Sequence, residues 1–436
     1  MNTSSSHLTT RREFLKTSAA LSTAVVAPSL IASAAESKPS TDKVLRIGLI
    51  GCGGRGSGAA EEALSADKNV VLTAMGDAFE NQLQNSLKAL QNKQPEKVKV
   101  TPDKCFVGLD AYQKVIDSGV DVVLLASPPG FRPVHLKAAV DAGKHIFTEK
   151  PMATDAPGVR AVLAIAEEAK KKKLSLVAGF CYRYADGVRA IMKQIHEGAI
   201  GDVRALQTTY NTGFVKSVIP RDPDWSDMQY QVRNWYYYTW LSGDHIVEQA
   251  IHSIDKMAWA MKDVPPVRCV ALGGRQVRTG PEYGNIFDHF SVVYEYENGA
   301  RGYHSCRQQG GCFQDNSDYF LGTEGTAQIV RAIGGPYVIK GKRDWRFHEE
   351  KKTNMYQNEH DELFASIRSG KPINDGVRMA HSTLLGIMGR MAAYTGEAIT
   401  WEEALNSKEK LVPDELSWQA PAPAVHVAMP GQTKFA

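Results

Sequence analysis

Residues 44–56, VLRIGLIGCGGRG, decide the fold, because an apolar run of β-strand composition leads directly into a G-x-G-x-x-G turn at 51–56. A helical stretch follows at 59–66. A second apolar run over 70–75 then ends at Asp77, 21 residues beyond the last glycine of the turn. Strand, glycine turn, helix, strand and acid in this order predict a dinucleotide-binding Rossmann unit.

Each residue of the turn has a separate expected task. Gly51 permits the tight turn, Gly53 lets the backbone approach a pyrophosphate, and Gly56 lets the helix pack closely on the strand. The pyrophosphate then rests on the helix N-terminus. Asp77 is expected to accept hydrogen bonds from the adenosine ribose, which favours NAD; the alternative is a plain turn carboxylate. Arg55 is close enough to contact phosphate, so NADP stays open.

Further alternations of strand and helix follow the first unit. The run at 120–126 is continuously apolar, which is typical of a parallel strand covered on both faces. It ends in Ser127-Pro128-Pro129-Gly130, a rigid turn at the carboxyl end of the sheet, where ligands of such folds bind. The other predicted elements of this half are a helix at 132–142, a strand at 145–148, a helix at 156–173 and a strand at 174–180.

The pattern changes to short strands after residue 201. Runs at 203–210 and 290–296 have strand composition, and the turn Glu297-Asn298-Gly299 joins the second run to 301–305 as a hairpin. Three helices are predicted near the end, at 359–370, 380–396 and 401–407. We therefore predict an α/β protein with an N-terminal Rossmann domain and a C-terminal α/β domain built on a large, mostly antiparallel open sheet.

The first residues indicate an export signal. Thr10-Arg11-Arg12-Glu13-Phe14-Leu15-Lys16 precedes an apolar run at 19–31 and then Ala32-Ser33-Ala34, a cleavage site of A-x-A form. This order predicts a twin-arginine signal and a periplasmic or otherwise exported protein; the alternative is a basic tail or a short amphipathic helix. No stretch reaches the roughly 20 apolar residues of a membrane helix, so no membrane span is expected.

Composition limits the choice of partner. The chain has 436 residues, is 43% hydrophobic and carries a formal net charge of +3, which gives no argument for a nucleic acid partner or an anionic membrane surface. Its six cysteines form no CxxC pair. Cys306 and Cys312 could pair, or all six could be packed thiols.

Several landmarks in sequence order make the resemblance to a known family specific. They are the glycine turn, the Ser-Pro-Pro turn, Glu149-Lys150-Pro151, GFCYRY at 179–184, the helix around His252 and WEEALNS at 401–407. The chain after residue 43 resembles the Gfo/Idh/MocA oxidoreductases, which act on sugars and polyols with a Rossmann domain and a second open-sheet domain. The resemblance implies NAD(P)-dependent oxidation of a CH–OH group in a carbohydrate, and a homodimer or homotetramer formed through the free face of the second sheet.

The resemblance also implies catalytic roles. The lysine of E-K-P in that family lies beside the nicotinamide and the substrate hydroxyl, which transfers to Lys150; such a lysine can stabilise a forming alkoxide. The family's acid-x-x-x-His pattern matches Glu248 and His252, with His252 as general acid/base. The acid is often aspartate there, so the role of Glu248 is less defined. Spacing predicts that Glu248, His252 and Asp255 share one helix face, with Asp244 one turn earlier.

The remaining site predictions follow from position. His245 and His252 are about 10.5 Å apart along a helix axis, too far to share one ion, so no metal is expected. The aromatic segment at 225–240 is equally compatible with two roles: binding a sugar ring, or packing in an interface. We predict cofactor contacts from Gly51, Gly53, Gly54, Arg55, Gly56, Asp77, Ser127, Pro128, Glu149 and Lys150, and substrate contacts from Tyr182, Arg183, Trp235, Tyr236 and Asp255.

The predicted boundaries are a signal at 1–34, a leader at 35–43, the Rossmann domain at 44–180, a substrate and oligomerisation domain at 181–415, and an extended tail at 416–436. Export creates a difficulty, because no free NAD pool is expected outside the cytoplasm. We therefore expect a tightly bound cofactor that is recycled. The alternatives are a redox-neutral NAD-dependent glycosidase, which oxidises transiently and then eliminates, and a non-catalytic sugar sensor.

Overall fold

The computed structural model describes residues 43–331, 335–349 and 352–435. The predicted twin-arginine signal at 1–34 and the leader up to residue 42 lie outside the described residues, so both stay predictions. The predicted α/β fold class is confirmed by two sheets, the first parallel and the second mostly antiparallel.

The first sheet has six parallel strands in the order β3-β2-β1-β4-β5-β6, which is the Rossmann order. Side chains of the fourth strand alternate between two hydrophobic cores, Val122 and Leu124 in one, Val123 and Leu125 in the other. This explains why its sequence is continuously apolar. The strands are β1 (Leu45–Ile50), β2 (Val70–Asp77), β3 (Cys105–Val107), β4 (Val122–Leu125), β5 (His145–Thr148) and β6 (Leu176–Ala178).

Helices cover both faces of this sheet. The helix after the glycine turn buries Ala59, Ala60, Ala63 and Leu64 against it, and small side chains there allow a close approach. The helix at Glu80–Lys93, which follows β2, and the short strand β3 were not predicted from the sequence. The helices of this half and of the link to the next are α1 (Gly54–Ala66), α2 (Glu80–Lys93), α3 (Ala111–Asp117), α4 (Arg132–Asp141), α5 (Ala156–Lys171) and α6 (Asp186–His196).

The second sheet has nine strands in the order β14-β13-β12-β11-β7-β10-β9-β8-β15. Its only parallel pairing among the described strands joins β7 and β10. The predicted hairpin is confirmed, and Gly299 has a φ of +82° at its turn. The strands are β7 (Val203–Thr212), β8 (Arg268–Gly274), β9 (His289–Glu295), β10 (Arg301–Gln308), β11 (Asp318–Gly322), β12 (Gly325–Ile329), β13 (Tyr337–Gly341), β14 (Trp345–Arg346) and β15 (Ile399–Thr400).

The late helices return to the first sheet. α11 packs on α1 and places Leu363 and Phe364 in the same core as Ile47, while α12 packs on α5. The domain boundary at residue 180 stays a prediction. Residues of α11, far beyond that boundary, complete the hydrophobic core of the first sheet. The helices of this half are α7 (Asp227–Arg233), α8 (Thr239–Ser242), α9 (His245–Glu248), α10 (Ile251–Ala260), α11 (Met355–Ser369), α12 (Gly376–Thr395) and α13 (Trp401–Asn406).

The single helix expected over 244–255 is wrong. The chain forms α9, breaks at Gln249 and restarts as α10, because the Ala250 amide bonds to the His245 carbonyl, one residue further back than an α-helix requires. Asp244 begins α9 at a φ of +76°. Its buried carboxylate accepts hydrogen bonds from the Phe287 amide at 2.7 Å and the Tyr394 hydroxyl at 2.6 Å, which hold this strained start in place.

The described part of the tail, 416–435, forms neither helix nor strand and is mostly exposed, but it lies against the body of the protein. None of the described helices is long and apolar enough to cross a membrane. All six cysteines are free, so Cys306 and Cys312 do not pair.

Candidate active site

A cleft of about 540 Å³ lies where the carboxyl ends of the parallel strands meet the second half of the chain. The glycine turn and Asp77 line it from the first half, and the α9–α10 break and β7 line it from the second. A pocket of this size, placed at the reversal of strand order between β1 and β4, is where open α/β sheets bind ligands.

The glycine turn presents an uncapped helix N-terminus to this cleft. Gly53 is the N-cap residue of α1 and has no side chain that could accept a hydrogen bond from the first amides of the helix. The first turn of the helix holds no acidic residue. A Cβ added to Gly53 or Gly54 would meet nothing within 4 Å, so a ligand can approach the backbone closely at these two glycines. Free amides at a positive helix end form a cradle for an anionic diphosphate.

Tight packing behind the cradle requires the other two glycines. Gly51 has a φ of +93°, and a Cβ on Gly56 would lie 1.8 Å from the Gly51 carbonyl oxygen. Only residues without side chains allow this contact. The turn therefore fits a dinucleotide, open where the pyrophosphate approaches and closed where helix and strand meet.

Asp77 ends β2 and lines the cleft where the adenosine ribose of a dinucleotide is expected. Its Oδ2 accepts a hydrogen bond from the Cys52 amide at 2.6 Å, and its Oδ1 accepts one from the Phe79 amide at 2.9 Å. Burial raises the pKa of this carboxyl, and the backbone amides oppose that shift. Each oxygen keeps further acceptor capacity for ribose hydroxyls.

Arg55 lines the cleft but its guanidinium is already paired. Its Nε donates to Glu149 at 2.8 Å, a second nitrogen lies 3.3 Å from Glu62, and its plane lies over the ring of Tyr356. Arg55 thus joins the glycine turn to the Glu-Lys-Pro segment, a contact that sequence reasoning did not foresee. Ser127, Pro128 and Glu149 line the same cleft, as their positions after β4 and β5 predict.

Lys150 reaches across to the second half of the chain. Its Nζ lies 3.1 Å from Oε1 of Glu248 and donates to the Glu248 carbonyl, which the break between α9 and α10 leaves without a helical partner. Both side chains are 9% exposed. The broken helix therefore creates an acceptor that fixes the lysine.

His252 stands in the first turn of α10 and lines the cleft. Burial, followed by the charges of Lys150, Lys256 and Arg55, lowers the pKa of this imidazole well below its ordinary value. Its Nδ1 is buried and hydrogen-bonds to none of the described residues, so the ring is not committed to a neighbouring protein group. A neutral, uncommitted imidazole can accept a proton.

The structure separates the predicted substrate residues into two groups. Tyr182, Trp235 and Tyr236 line the cleft, and the ring of Tyr182 stands edge-on to His252 at 5.2 Å between centroids. Arg183 and Asp255 do not line it. They form a buried ion pair with each other at 2.8 Å, because a buried guanidinium and a buried carboxylate each need a partner of opposite charge.

Some lining residues carry no sequence signal. Tyr210 on β7 donates to Gln249 at 2.9 Å, and Tyr356 lies in the first turn of α11, far along the chain. Arg132 and His135 follow the Ser-Pro-Pro turn, so their position after a strand end was a signal that sequence reasoning did not use. Arg132 is buried and donates to the carbonyls of Leu125 and Ser127, which fixes this turn. No three His, Cys, Asp or Glu residues within the described ranges are grouped as metal ligands.

Two family models match the chain. Residues 45–177 match the Gfo/Idh/MocA oxidoreductase family model with an NAD-binding Rossmann fold, and residues 188–328 match the Gfo/Idh/MocA C-terminal domain model. The first match coincides with the parallel sheet and the second with the core of the nine-stranded sheet.

Characterised relatives cover most of the chain. Inositol 2-dehydrogenase of Rhizobium meliloti (strain 1021) is 26% identical over 345 residues, which are 76% of this chain and 93% of the relative. Myo-inositol 2-dehydrogenase of Thermotoga maritima is 25% identical over 380 residues, 85% of this chain and 99% of the relative.

Solved structures share the fold. Aldose-aldose oxidoreductase from Caulobacter crescentus, complexed with glycerol, superposes with a TM-score of 0.64 at 18% identity over 82% of this chain and 100% of that one. A levoglucosan dehydrogenase in complex with NADH and levoglucosan gives a TM-score of 0.64 at 19% identity over 82% of this chain and 99% of that one.

Proposed function

Since this chain belongs to the Gfo/Idh/MocA family and is an NAD-dependent carbohydrate oxidoreductase, we propose that it oxidises a ring CH–OH group of a sugar or polyol in the described cleft. The observation that carries the proposal is the meeting of Lys150 and His252, from opposite halves of the chain, in the cleft that the glycine turn opens into.

The two side chains have complementary roles in this proposal. His252 accepts the hydroxyl proton, because its lowered pKa keeps it neutral. Lys150 donates a hydrogen bond to the same oxygen as negative charge develops on it, and Glu248 holds the ammonium in position. Bound NAD supplies the hydride acceptor. In the reverse direction His252 returns the proton to a carbonyl oxygen.

The aromatic lining suits a polyhydroxylated ring. Trp235 and Tyr236 line the cleft with aromatic rings, and Gln249 lines it with an amide side chain. Rings can cover the C–H face of a sugar while polar groups bind its hydroxyls. The inositol dehydrogenases and sugar dehydrogenases among the relatives support this substrate class.

We further propose that the protein is exported and keeps its cofactor through many turnovers. The twin-arginine pattern at 10–16 supports export, and an exported enzyme meets no NAD pool to exchange with. One substrate would then be oxidised and a second carbonyl compound reduced before the cofactor leaves.

A substrate panel tests the proposed activity. NAD-loaded protein is mixed with inositols, aldoses and aryl glycosides, and nicotinamide absorbance, ketone and free aglycone are followed. We expect ketone with reduced nicotinamide for a ring polyol or sugar, and at least a hundredfold lower rate for Lys150→Met, which removes the charge and keeps the length of the side chain. Release of aglycone without net reduction would favour the glycosidase instead. No turnover of any member would refute the proposal.

A further inference from the structure

Four side chains from three separate parts of the chain, those of Phe79, Trp225, Arg233 and Trp418, meet beside the Asp77 end of the cleft. Trp418 of the tail stacks on Phe79, with centroids 5.4 Å apart and planes 29° apart. The guanidinium of Arg233 lies 3.8 Å from the centre of the Phe79 ring and 4.4 Å from that of Trp225. Phe79 follows Asp77 by two residues, so this group, the aromatic stack, stands beside the acid expected to bind ribose.

Arg233 is attracted through space by the carboxylates of Asp222 and Asp77, but neither pairs with it directly in the described parts of the chain. Its side chain forms no hydrogen bond or ion pair there, and its Nε is buried without an acceptor. It lines the cleft together with Asp77 and Phe79, although it belongs to α7 in the second half of the chain. An arginine brings five N–H donors in a planar fork, and two rings hold this one in place while its donors stay unused.

The tail is fastened on both sides of Trp418. The Leu411 amide donates to Oδ2 of Asp155 at 2.9 Å, and the Gly431 amide donates to the Thr395 carbonyl at 2.7 Å. We call residues 411–431 the strap. Between its ends, Nε2 of Gln231 on α7 donates to the Pro423 carbonyl at 3.0 Å, which ties the strap to the helix that carries Arg233.

We propose that Arg233 is a dinucleotide-binding residue that the second half contributes to the adenosine ribose and phosphate portion, and that the strap holds it in place through Trp418. The inference rests on the proposed function, since it concerns the cofactor of that same site. The anionic dinucleotide supplies the acceptors that the guanidinium lacks in the protein. In this proposal Phe79 and Arg233, which line the cleft, cover the adenosine portion, so the dinucleotide leaves only when the aromatic stack opens.

This arrangement acts on the dissociation rate. A binding residue that is already ordered by its neighbours loses little entropy when the ligand arrives, so its contacts mainly slow ligand release. An opening step that separates Trp418 from Phe79 and Arg233 from both rings breaks several weak contacts together. The same feature would let an exported enzyme retain its cofactor.

The test measures release of NADH from the loaded, full-length chain, by fluorescence after addition of excess NAD. Trp418→Ala and Arg233→Ala are each expected to release NADH about tenfold faster or more, which corresponds to about 1.4 kcal/mol. Trp418→Phe keeps a ring against Phe79 and is expected to stay within about threefold of wild type. Val427→Ala is the matched control, since Val427 is in the strap, is 46% exposed and lies outside the aromatic stack.

The outcomes separate the two claims. Faster release from the two alanine variants, with Trp418→Phe and Val427→Ala unchanged, supports the inference. Wild-type release rates in folded Trp418→Ala and Arg233→Ala overturn it while leaving the proposed function standing, because the loaded enzyme still turns over. If Trp418→Ala does not fold, Arg233→Ala decides. A wild-type chain that binds no dinucleotide removes both the inference and the proposed function.

Discussion

His252 and Lys150 face the same cleft but are held in different ways. Lys150 is fixed by an ion pair and by a carbonyl that a helix break leaves free, whereas His252 makes only an edge-on ring contact with Tyr182 and has an unpartnered Nδ1 within the described structure. A fixed cation and a neutral base are what removal of a hydroxyl proton together with a hydride requires.

Replacing His252 by alanine is expected to reduce kcat on the order of a hundredfold or more without loss of bound dinucleotide. The imidazole acts as the base, while the glycine turn and Asp77 hold the cofactor elsewhere in the cleft. Turnover and dinucleotide content of the purified variant check this. Turnover that stays near wild type would show that another group takes the proton.

The pH dependence has a definite sign. Only the neutral imidazole accepts a proton, and burial lowers the pKa of His252 below its ordinary 6.5. The kcat/KM for oxidation is therefore expected to stay level as pH falls to 6.5 and to decline only at lower pH. A profile of kcat/KM against pH for NAD-loaded enzyme measures this. An acid limb centred at or above 6.5 would contradict a neutral buried base.

The sequence indicates which residues take part in the chemistry, but it does not indicate which side chains each of them contacts. Lys150 and His252 lie in the cleft where the resemblance places them. Arg183 and Asp255 carry charges that suit a substrate, yet they pair with each other. Both side chains are buried, and a buried charge without a partner of opposite sign is strongly destabilising. No spacing in the sequence reveals that pairing.

Among the elements, the glycine turn is the most sharply determined by sequence. Each glycine has a different physical reason, so the variants should separate. Gly56→Ala places a Cβ 1.8 Å from the Gly51 carbonyl oxygen, and we expect the free energy of unfolding to fall by about 1–3 kcal/mol. Gly53→Ala meets no protein atom within 4 Å, so we expect a nearly unchanged Tm and at least tenfold weaker dinucleotide binding.

Thermal unfolding and dinucleotide titration of the two glycine variants distinguish these effects. Equal loss of stability in both would show that Gly53 is packed rather than open. Unchanged binding by Gly53→Ala would show that the dinucleotide does not approach the backbone there.

Helices and strands of the first half could be predicted because their apolar periodicity and turn residues agree. β5 begins and ends where its sequence predicts, and α5 differs from its prediction by two residues at one end. The break between α9 and α10 could not be predicted, since the local residues are compatible with a continuous helix. The contact with Lys150, nearly a hundred residues earlier in the chain, stabilises the broken form.

At the scale of the whole molecule, one face of the nine-stranded sheet exposes several large apolar side chains. Val270, Leu272, Tyr303 and Leu321 lie on this face at exposures of 40%, 78%, 45% and 46%. Strand register places them on the same side, with Val270 beside Val293 and Val293 beside Tyr303. We propose that this face joins two copies of the chain, because contiguous apolar surface of this kind marks an interface.

The Leu272→Arg variant tests that proposal by light scattering coupled to gel filtration. We expect wild type to be a dimer or tetramer and the variant to be a monomer, since an unpaired charge is costly to bury in an interface. Val264→Arg, which adds the same charge at a 55% exposed position outside the sheet, should keep the wild-type mass. A monomeric wild type would refute the proposal.

The return of α11 and α12 to the first sheet, and the course of the strap, belong to this largest scale as well. Both depend on residues more than a hundred positions apart: Leu363 shares a hydrophobic core with Ile47, and Trp418 stacks on Phe79. The sequence of an amphipathic helix or of a proline-rich tail does not show which surface of the protein it will cover. The sequence therefore predicts that these helices and the extended tail exist, but it does not predict where they pack.

Hydride transfer in the cleft is tested most directly with a substrate that carries deuterium on its reacting CH–OH carbon. The best substrate of the panel is mixed once with NAD-loaded enzyme, and the dinucleotide is extracted and analysed by mass spectrometry. We predict that the reduced nicotinamide carries the deuterium in wild type and that Lys150→Met and His252→Ala transfer it much more slowly. Conversion of the substrate with no deuterium on the dinucleotide would contradict the account.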